Sequence, residues 1–258
     1  MLVALLAFTL LAPGVATADS HSMQMDGDMS GMGSGGMMQM MDGALSDLET
    51  LEGEEFEVAY VNQIIPHHEG ALEMAQAVVD RAPNGEVRDA AARIIEDQQR
   101  EIEELTTFLQ DKYGREVKPD DRMAMDPSMM KQMESADPAM AEQMFLLGMR
   151  EHHETAVEMG EIALKKAQSE EILSQAENMV NSQRAEQEEF AGYLEDFYGI
   201  EAPVPTGDME AAMQLAMAVS GMPLPETGGP SLPIVAALVA VTLGALAAGA
   251  YTVRRVSG

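Results

Sequence analysis

Cysteine is absent from the 258-residue chain and basic residues are scarce: 15 Lys and Arg stand against 44 Asp and Glu, for a formal net charge of −29. Without a thiol the chain forms no disulfide and supports no thiolate nucleophile or thiolate metal site. Helix packing, or a metal held by other donors, must stabilise it instead. The acidic excess excludes a nucleic-acid partner, whose phosphates it would repel, and it raises the local concentration of cations. Patterns common to hydrolases and transferases are missing too: no Ser, His, Asp order, no phosphate-binding loop and no paired-carboxylate cleft. No segment alternates with the period of two that marks a strand.

What the chain does have is one short stretch twice. Pro66-His67-His68-Glu69-Gly70-Ala71-Leu72-Glu73-Met74-Ala75 returns as Glu151-His152-His153-Glu154-Thr155-Ala156-Val157-Glu158-Met159-Gly160, an offset of 85 residues. The same offset carries Glu57 onto Glu142, Tyr60 onto Phe145, Gln98 onto Gln183, Glu101 onto Glu186, Tyr113 onto Tyr198 and Gly114 onto Gly199. Four of the five histidines lie in the two copies.

Helical periodicity surrounds both copies. One helix is predicted from about Ala44 to Arg81, with Phe56, Tyr60, Ile64 and Ile65 on its apolar face and Pro66 marking a bend or a start. Pro83-Asn84-Gly85 signals a turn. A second helix follows from about Glu86 to Tyr113, with a seam of Val87, Ala91, Ile94, Leu105 and Phe108, and Gly114 as its C-cap. Its counterpart runs from about Glu170 to Tyr198 through Ile172, Ala176, Met179, Phe190 and Phe197, and closes at Gly199. Two polar residues interrupt each seam at the same depth, Gln98 and Glu101 in one, Gln183 and Glu186 in the other. Buried polar groups need partners, and the histidines are the candidates. The expected fold is an all-α four-helix bundle over 44–200, made of two duplicated hairpins at about 54–114 and 139–199. The connection 115–138 carries Met123, Met125, Met129, Met130 and Met133. Residues 201–223 are expected to form a stalk, with Met209, Met213 and Met217 on one stripe available for metal or for packing on the bundle.

The ends differ from this body. Residues 1–18 are apolar and finish in Ala16-Thr17-Ala18, the form of a signal peptide. Residues 19–43 hold eight methionines among Gly, Ser and Asp, with His21 just ahead, and are expected to be a disordered tail. Leu224-Pro225-Glu226-Thr227-Gly228 precedes an apolar run at 232–251 and Arg254-Arg255. This series resembles an LPxTG cell-wall sorting signal spanning 224–258. The resemblance implies sortase cleavage between Thr227 and Gly228 and attachment to peptidoglycan. The apolar run is long enough for a transmembrane segment that holds the chain in the membrane before sorting. Either way the body is placed outside the cell.

On a helix, residues at i, i+4 and i+7 share a face, so His67, Ala71 and Met74 align, as do His152, Ala156 and Met159. Each copy thus offers imidazole, thioether and nearby carboxylate. Imidazole suits copper and thioether selects Cu(I), whereas zinc favours thiolate, imidazole and carboxylate. A di-iron centre in a bundle wants Glu-x-x-His, a spacing that neither copy has. The candidate metal ligands are therefore His67, His68, Met74, Glu101, His152, His153, Met159 and Glu186, with Gln98 and Gln183 behind them. Copper, as Cu(I) or Cu(II), ranks ahead of iron and zinc. His21, Met23, Met25, Met123, Met125, Met129 and Met130 are candidates for accessory Cu(I) capture. Two rivals use the same residues: a metal oxidase working through the histidines with Glu101 and Glu186, and a structural bundle whose histidines bond Gln98 and Gln183.

At the His-His-x-x-Ala-x-x-Met element the chain resembles the domain-of-unknown-function 305 family. The matching residues are Glu57, Tyr60, Ile65-Pro66-His67-His68, Ala71, Met74, Gln98 and Glu101, then Glu142, Phe145, His152-His153, Ala156, Met159, Gln183 and Glu186. The second copy departs by carrying Arg150-Glu151 in place of Ile-Pro. The resemblance covers about 44–200. It implies an exported bacterial ferritin-like bundle and, from the members rich in Met and His, copper handling.

Overall fold

The computed structural model describes residues 34–220, with side chains from residue 39 onward. Seven α-helices follow in order: α1 Ser34–Thr50, α2 Gly53–Gln76, α3 Gly85–Tyr113, α4 Pro127–Ser135, α5 Pro138–Lys166, α6 Glu170–Tyr198 and α7 Met209–Ser220, with a single 3₁₀ turn at Asp121–Met123. No strand occurs among the described residues. α2 packs on α3, α5 on α6, and α2 on α5, giving the expected bundle of two hairpins.

The helix ends follow local chemistry. Asp126 and Asp137 accept hydrogen bonds from the first-turn N–H groups of α4 and α5, each with proline in the next position. Gly114 and Gly199 close α3 and α6 with φ of 63° and 62°. The single helix expected from Ala44 to Arg81 is instead broken at Leu51–Glu52, where Gly53 takes φ 59° and lets the chain turn between α1 and α2. α1 also begins at Ser34, inside the stretch expected to be structureless, and Ala44 and Leu48 anchor it in the core. The signal-like residues 1–18, the sorting-like residues 224–258 with the apolar run 232–251, and His21, Met23 and Met25 lie outside the described residues. Among the described residues no helix is long and apolar enough to cross a membrane.

Pro66 neither bends α2 to an end nor starts it; the helix runs through it. Its missing N–H frees the carbonyl of Asn62 one turn back, and the N–H of Asp120 takes that carbonyl at 2.8 Å. The loop after α3 is thereby strapped across α2, helped by Lys118 N–H donating to the Asn62 side chain at 2.8 Å. In the second copy Glu151 occupies the equivalent position and holds the equivalent loop by other means. Its carboxylate accepts from the N–H of Thr206 at 2.6 Å and of Asp208 at 3.2 Å. The adjoining Arg150 donates to the Pro203 carbonyl at 2.8 Å. The departure from the repeat at 150–151 is thus a second way of fastening a strap. Residues 201–220 are accordingly no stalk. α7 lies against α5, with Met209, Ala212, Met213, Leu215, Ala216 and Val219 buried and only Met217 of its methionine stripe exposed. Packing accounts for that stripe: the methyls of Met213, Met74 and Met209 come within 2.9, 3.1 and 3.3 Å of where a Cβ on Gly148 would lie.

The two halves also close one another's turns. Glu57, at the start of α2, is fully buried and accepts from the N–H groups of Gln168 and Ser169 at 2.7 Å each, from the Ser169 hydroxyl, and from Tyr113 Oη at 2.6 Å. Glu142, at the start of α5, is equally buried and accepts from Asn84 N–H at 2.9 Å and Tyr198 Oη at 2.8 Å. Asn84 and Ser169 are the N-cap residues of α3 and α6, and neither caps its helix with its own side chain. Each carboxylate therefore plays the part that a Glu at the third helical position plays in a capping box, but for the helix of the other half.

Candidate metal centre

Two apolar clusters fill the bundle. One contains Ala71, Met74, Ala75 and Met144 to Met149; the other contains Phe56, Tyr60, Ile64, Ala156, Met159 and Ala163. Along α2 the first ends at Ala71 and the second at Ile65, and along α5 they end at Met149 and Ala156. His67, His68, His152 and His153 occupy the interval, so a layer of four imidazoles separates two hydrophobic cores. All four are buried, at 1%, 0%, 4% and 0% exposure.

The layer is close to two-fold. His67 and His152 stack on each other across the α2–α5 contact, with ring centroids 3.8 Å apart and planes inclined by 33°. Each stands 6.4 Å and 62° from its neighbour in sequence. His68 turns to α3, where its Nε2 meets Glu101 at 2.8 Å. His153 turns to α6, where its Nε2 lies 2.6 Å from Glu186, although the carboxylate approaches away from the ring-nitrogen axis. We read that contact as an ion-pair distance without hydrogen-bond geometry. A carboxylate only accepts, so it draws the His68 proton to Nε2 and leaves Nδ1 bare. Carboxylates in this role commonly orient metal-binding imidazoles. Glu101 and Glu186 are the layer's outermost groups, their side chains 14% and 18% exposed.

Several nitrogens in this layer have no hydrogen-bond partner: both of His67, both of His153, Nδ1 of His68 and Nδ1 of His152. Gln98 and Gln183, the expected partners, reach the layer's depth but leave their own Oε1 atoms unpaired, so they do not satisfy the histidines. An unsatisfied buried polar atom costs about 1–3 kcal/mol. Evolved folds retain such a cost where a ligand uses the group. Burial, reinforced by the neighbouring imidazoles, pushes His67 and His152 well below the ordinary value of 6.5. Both are therefore neutral at physiological pH, the form in which imidazole binds metal.

That shift has a consequence for the metal-free protein. A histidine depressed in the fold is protonated first in the unfolded chain, so its stabilisation is complete above about pH 6.5 and lost as pH falls below it. Each such imidazole adds a slope of about 1.4 kcal/mol per pH unit. Urea midpoints are expected to fall from pH 7.5 to pH 5, and to fall less in a His67→Leu/His152→Leu variant. Parallel profiles for the two proteins would contradict this.

Among the described residues no three His, Asp or Glu side chains converge on one point where a metal could sit. The donors that the layer leaves unpaired are imidazole nitrogens, not a carboxylate cage. Met74 points its methyl at Gly148, one turn ahead of His152 on α5, and Met159 is buried in the opposite core. Met123, Met129 and Met130, expected as loop thioethers for capture, are packed into the cores. Met125 is half-buried and comes to the layer itself. Sequence reasoning missed the capping roles of Glu57 and Glu142, although their shared offset was visible. It also missed Gln187, which donates to the Arg150 carbonyl at 3.1 Å and to Glu154 at 2.9 Å.

A bundle of two matching hairpins around a buried imidazole layer defines an all-α protein with a two-fold histidine centre. The chain belongs to the family described as domain of unknown function DUF305, whose model matches residues 9–109, 60–194 and 142–227. Among solved structures it is similar to CopM in the Cu(I)-bound form, at 28% identity over 55% of this chain and 98% of that one, with a TM-score of 0.50. CopM in the Cu(II)-bound form matches at 26% identity over 55% and 97%, also at 0.50. A DUF305 fragment from Deinococcus radiodurans is 26% identical over 54% and 94%, at 0.49. No curated protein matches the chain.

Proposed function

We propose that the protein is an extracellular, wall-anchored copper-binding protein that sequesters copper or hands it on, with no catalytic step. The observation that carries this reading is the set of buried imidazole nitrogens with nothing to bond. Two further facts support it. CopM, a structural neighbour covered almost completely, has Cu(I)- and Cu(II)-bound forms. The signal-like 1–18 and the Leu224-Pro225-Glu226-Thr227-Gly228 series fit export and sortase attachment to peptidoglycan. His67, His68, His152 and His153 supply the donors, no three of them converging on one point. Glu101 and Glu186 flank the outer rings, and Met74 and Met159 are the thioethers nearby, in the two cores. Copper is cargo here, and what the chain supplies is a dry layer of neutral imidazoles that excludes water and strips the ion of its hydration shell.

The test is metal analysis of residues 19–223 after exposure to Cu(I), Cu(II), Zn(II) and Fe(II) separately, against a variant with alanine at all four positions. Copper is expected to survive competition by a chelator of micromolar affinity in the wild type and to be lost in the variant. Equal retention by the two proteins, or none by either, would sink the reading.

A further inference from the structure

The two halves match in the geometry of their rings but not in what lies over them. Gly70 sits on α2 between the layer and the first strap. A Cβ there would fall 2.5 Å from Met125 Cγ and 3.2 Å from His152 Nε2. The missing side chain lets Met125 lie where a Cβ would stand, next to a central imidazole nitrogen. In the second half the residue equivalent to Gly70 is Thr155, and the strap position above it is Gly207, whose own Cβ would lie 3.4 Å from Thr155 Oγ1. On that side the group facing the strap glycine is a hydroxyl, Thr155 Oγ1.

We propose that Met125 is a thioether ligand of the ion held at His67 and His152, admitted to the centre by the absence of a side chain at Gly70. The proposal rests on the copper reading above and adds a third donor and a preference to it. Imidazole accepts both oxidation states, whereas thioether is a soft donor that favours Cu(I). A centre of two imidazoles and one thioether holds Cu(I) more tightly than the imidazoles alone and leaves Cu(II) nearly unaffected. Met125 is half-buried, whereas both rings are buried. The bland alternative is that Met125 fills space, which methionine does well. Leucine fills the same space without a lone pair, and that difference decides between them.

The experiment titrates the full exported chain with Cu(I) against bathocuproine disulfonate, and with Cu(II) separately, for the wild type, Met125→Leu and Gly70→Ala. Met125→Leu is expected to lower Cu(I) affinity by about tenfold or more, the scale on which metal sites respond to loss of a supporting group, and to change Cu(II) affinity by less than about twofold. X-ray absorption of the Cu(I) form is expected to show one sulfur scatterer fewer. Gly70→Ala, which removes no donor atom but would crowd Met125 Cγ at 2.5 Å and His152 Nε2 at 3.2 Å, is expected to lower Cu(I) affinity in the same direction. Thermal melts of the metal-free variants separate loss of a ligand from loss of fold. Unchanged Cu(I) affinity and an unchanged sulfur shell in Met125→Leu would overturn the proposal while leaving the histidine centre standing. A wild type that takes up no Cu(I) would overturn both.

Discussion

With leucine at both His67 and His152, the metal-free protein is expected to become more stable and to lose its response to copper. The two rings are fully buried and three of their four nitrogens have no partner. Each unsatisfied atom costs about 1–3 kcal/mol, and what the stacked rings return is about 0.5–1.5 kcal/mol. Leucine has nearly the volume of histidine and no polar atom, so it suits a site bounded by two apolar cores. A net gain of about 2 kcal/mol corresponds to a rise in Tm of roughly 4–8 °C for a domain of this size. Copper reverses the order. An ion at a hundredfold excess over its Kd stabilises the wild type by about 2.7 kcal/mol, and the variant gains nothing. Calorimetry with and without Cu(I) reads both halves of the prediction. A variant that melts below the metal-free wild type would mean that the imidazoles stabilise the fold, and the layer would then be architecture rather than a binding site.

Alanine at Glu57 is expected to destabilise the protein by about 3 kcal/mol or more, and alanine at Glu142 by a similar amount. A lost N-cap interaction alone is worth about 1 kcal/mol. Here the truncation also strands buried donors, those of Gln168, Ser169 and Tyr113 in one case and of Asn84 and Tyr198 in the other. The two sites lie at opposite ends of the antiparallel α2–α5 pair, roughly 30 Å apart at 1.5 Å per residue, so the double variant should show the sum of the two losses. Glu57 adds a pH signature. Burial raises its pKa, but the hydrogen bonds from Ser169, Tyr113 and Gln168 outweigh that and hold it below the ordinary 4.5. Its contribution is therefore present above about pH 4.5 and disappears as pH falls through the lower folded value. Glu57→Gln is expected to flatten that acid limb. Denaturant midpoints between pH 3 and 7 measure it, and an unchanged limb would show that the carboxylate's charge is irrelevant.

Much of this architecture was legible because it depends on periodicity. The seams through Val87, Ala91 and Ile94, and through Ile172, Ala176 and Met179, gave α3 and α6 to within a residue, and Gly114 and Gly199 gave their ends. The matched depth of Glu101 and Glu186 pointed to the histidines as neighbours, but not to which histidine each carboxylate meets. What was not legible depends on contacts between segments distant in sequence. Gly53 breaks the first helix through a φ that no apolar pattern records. Pro66 reads as a bend or a start from sequence alone, because the loop N–H that takes the freed carbonyl lies at Asp120. Met125 was one methionine of many until Gly70 placed it beside His152. The Met209 and Met213 stripe left open two readings, and only the position of Gly148 on a neighbouring helix decides between them.

The exchange of carboxylates between the halves bears on what the unit of this protein is. Neither hairpin contains the group that closes its own turn, and the stacked pair of imidazoles takes one ring from each. The chain is better regarded as a dimer with its subunits fused than as two domains in series. Cutting the 115–138 connection should yield pieces that are incomplete alone and reconstitute on mixing. Insertions at the exposed Glu116, ahead of the strap, would be tolerated where those at Asn84 or Ser169 would not. Fusion also frees the two halves from the identity that a true homodimer imposes, and this is what allows a methionine beside Gly70 in one half and a threonine at the equivalent position, Thr155, in the other.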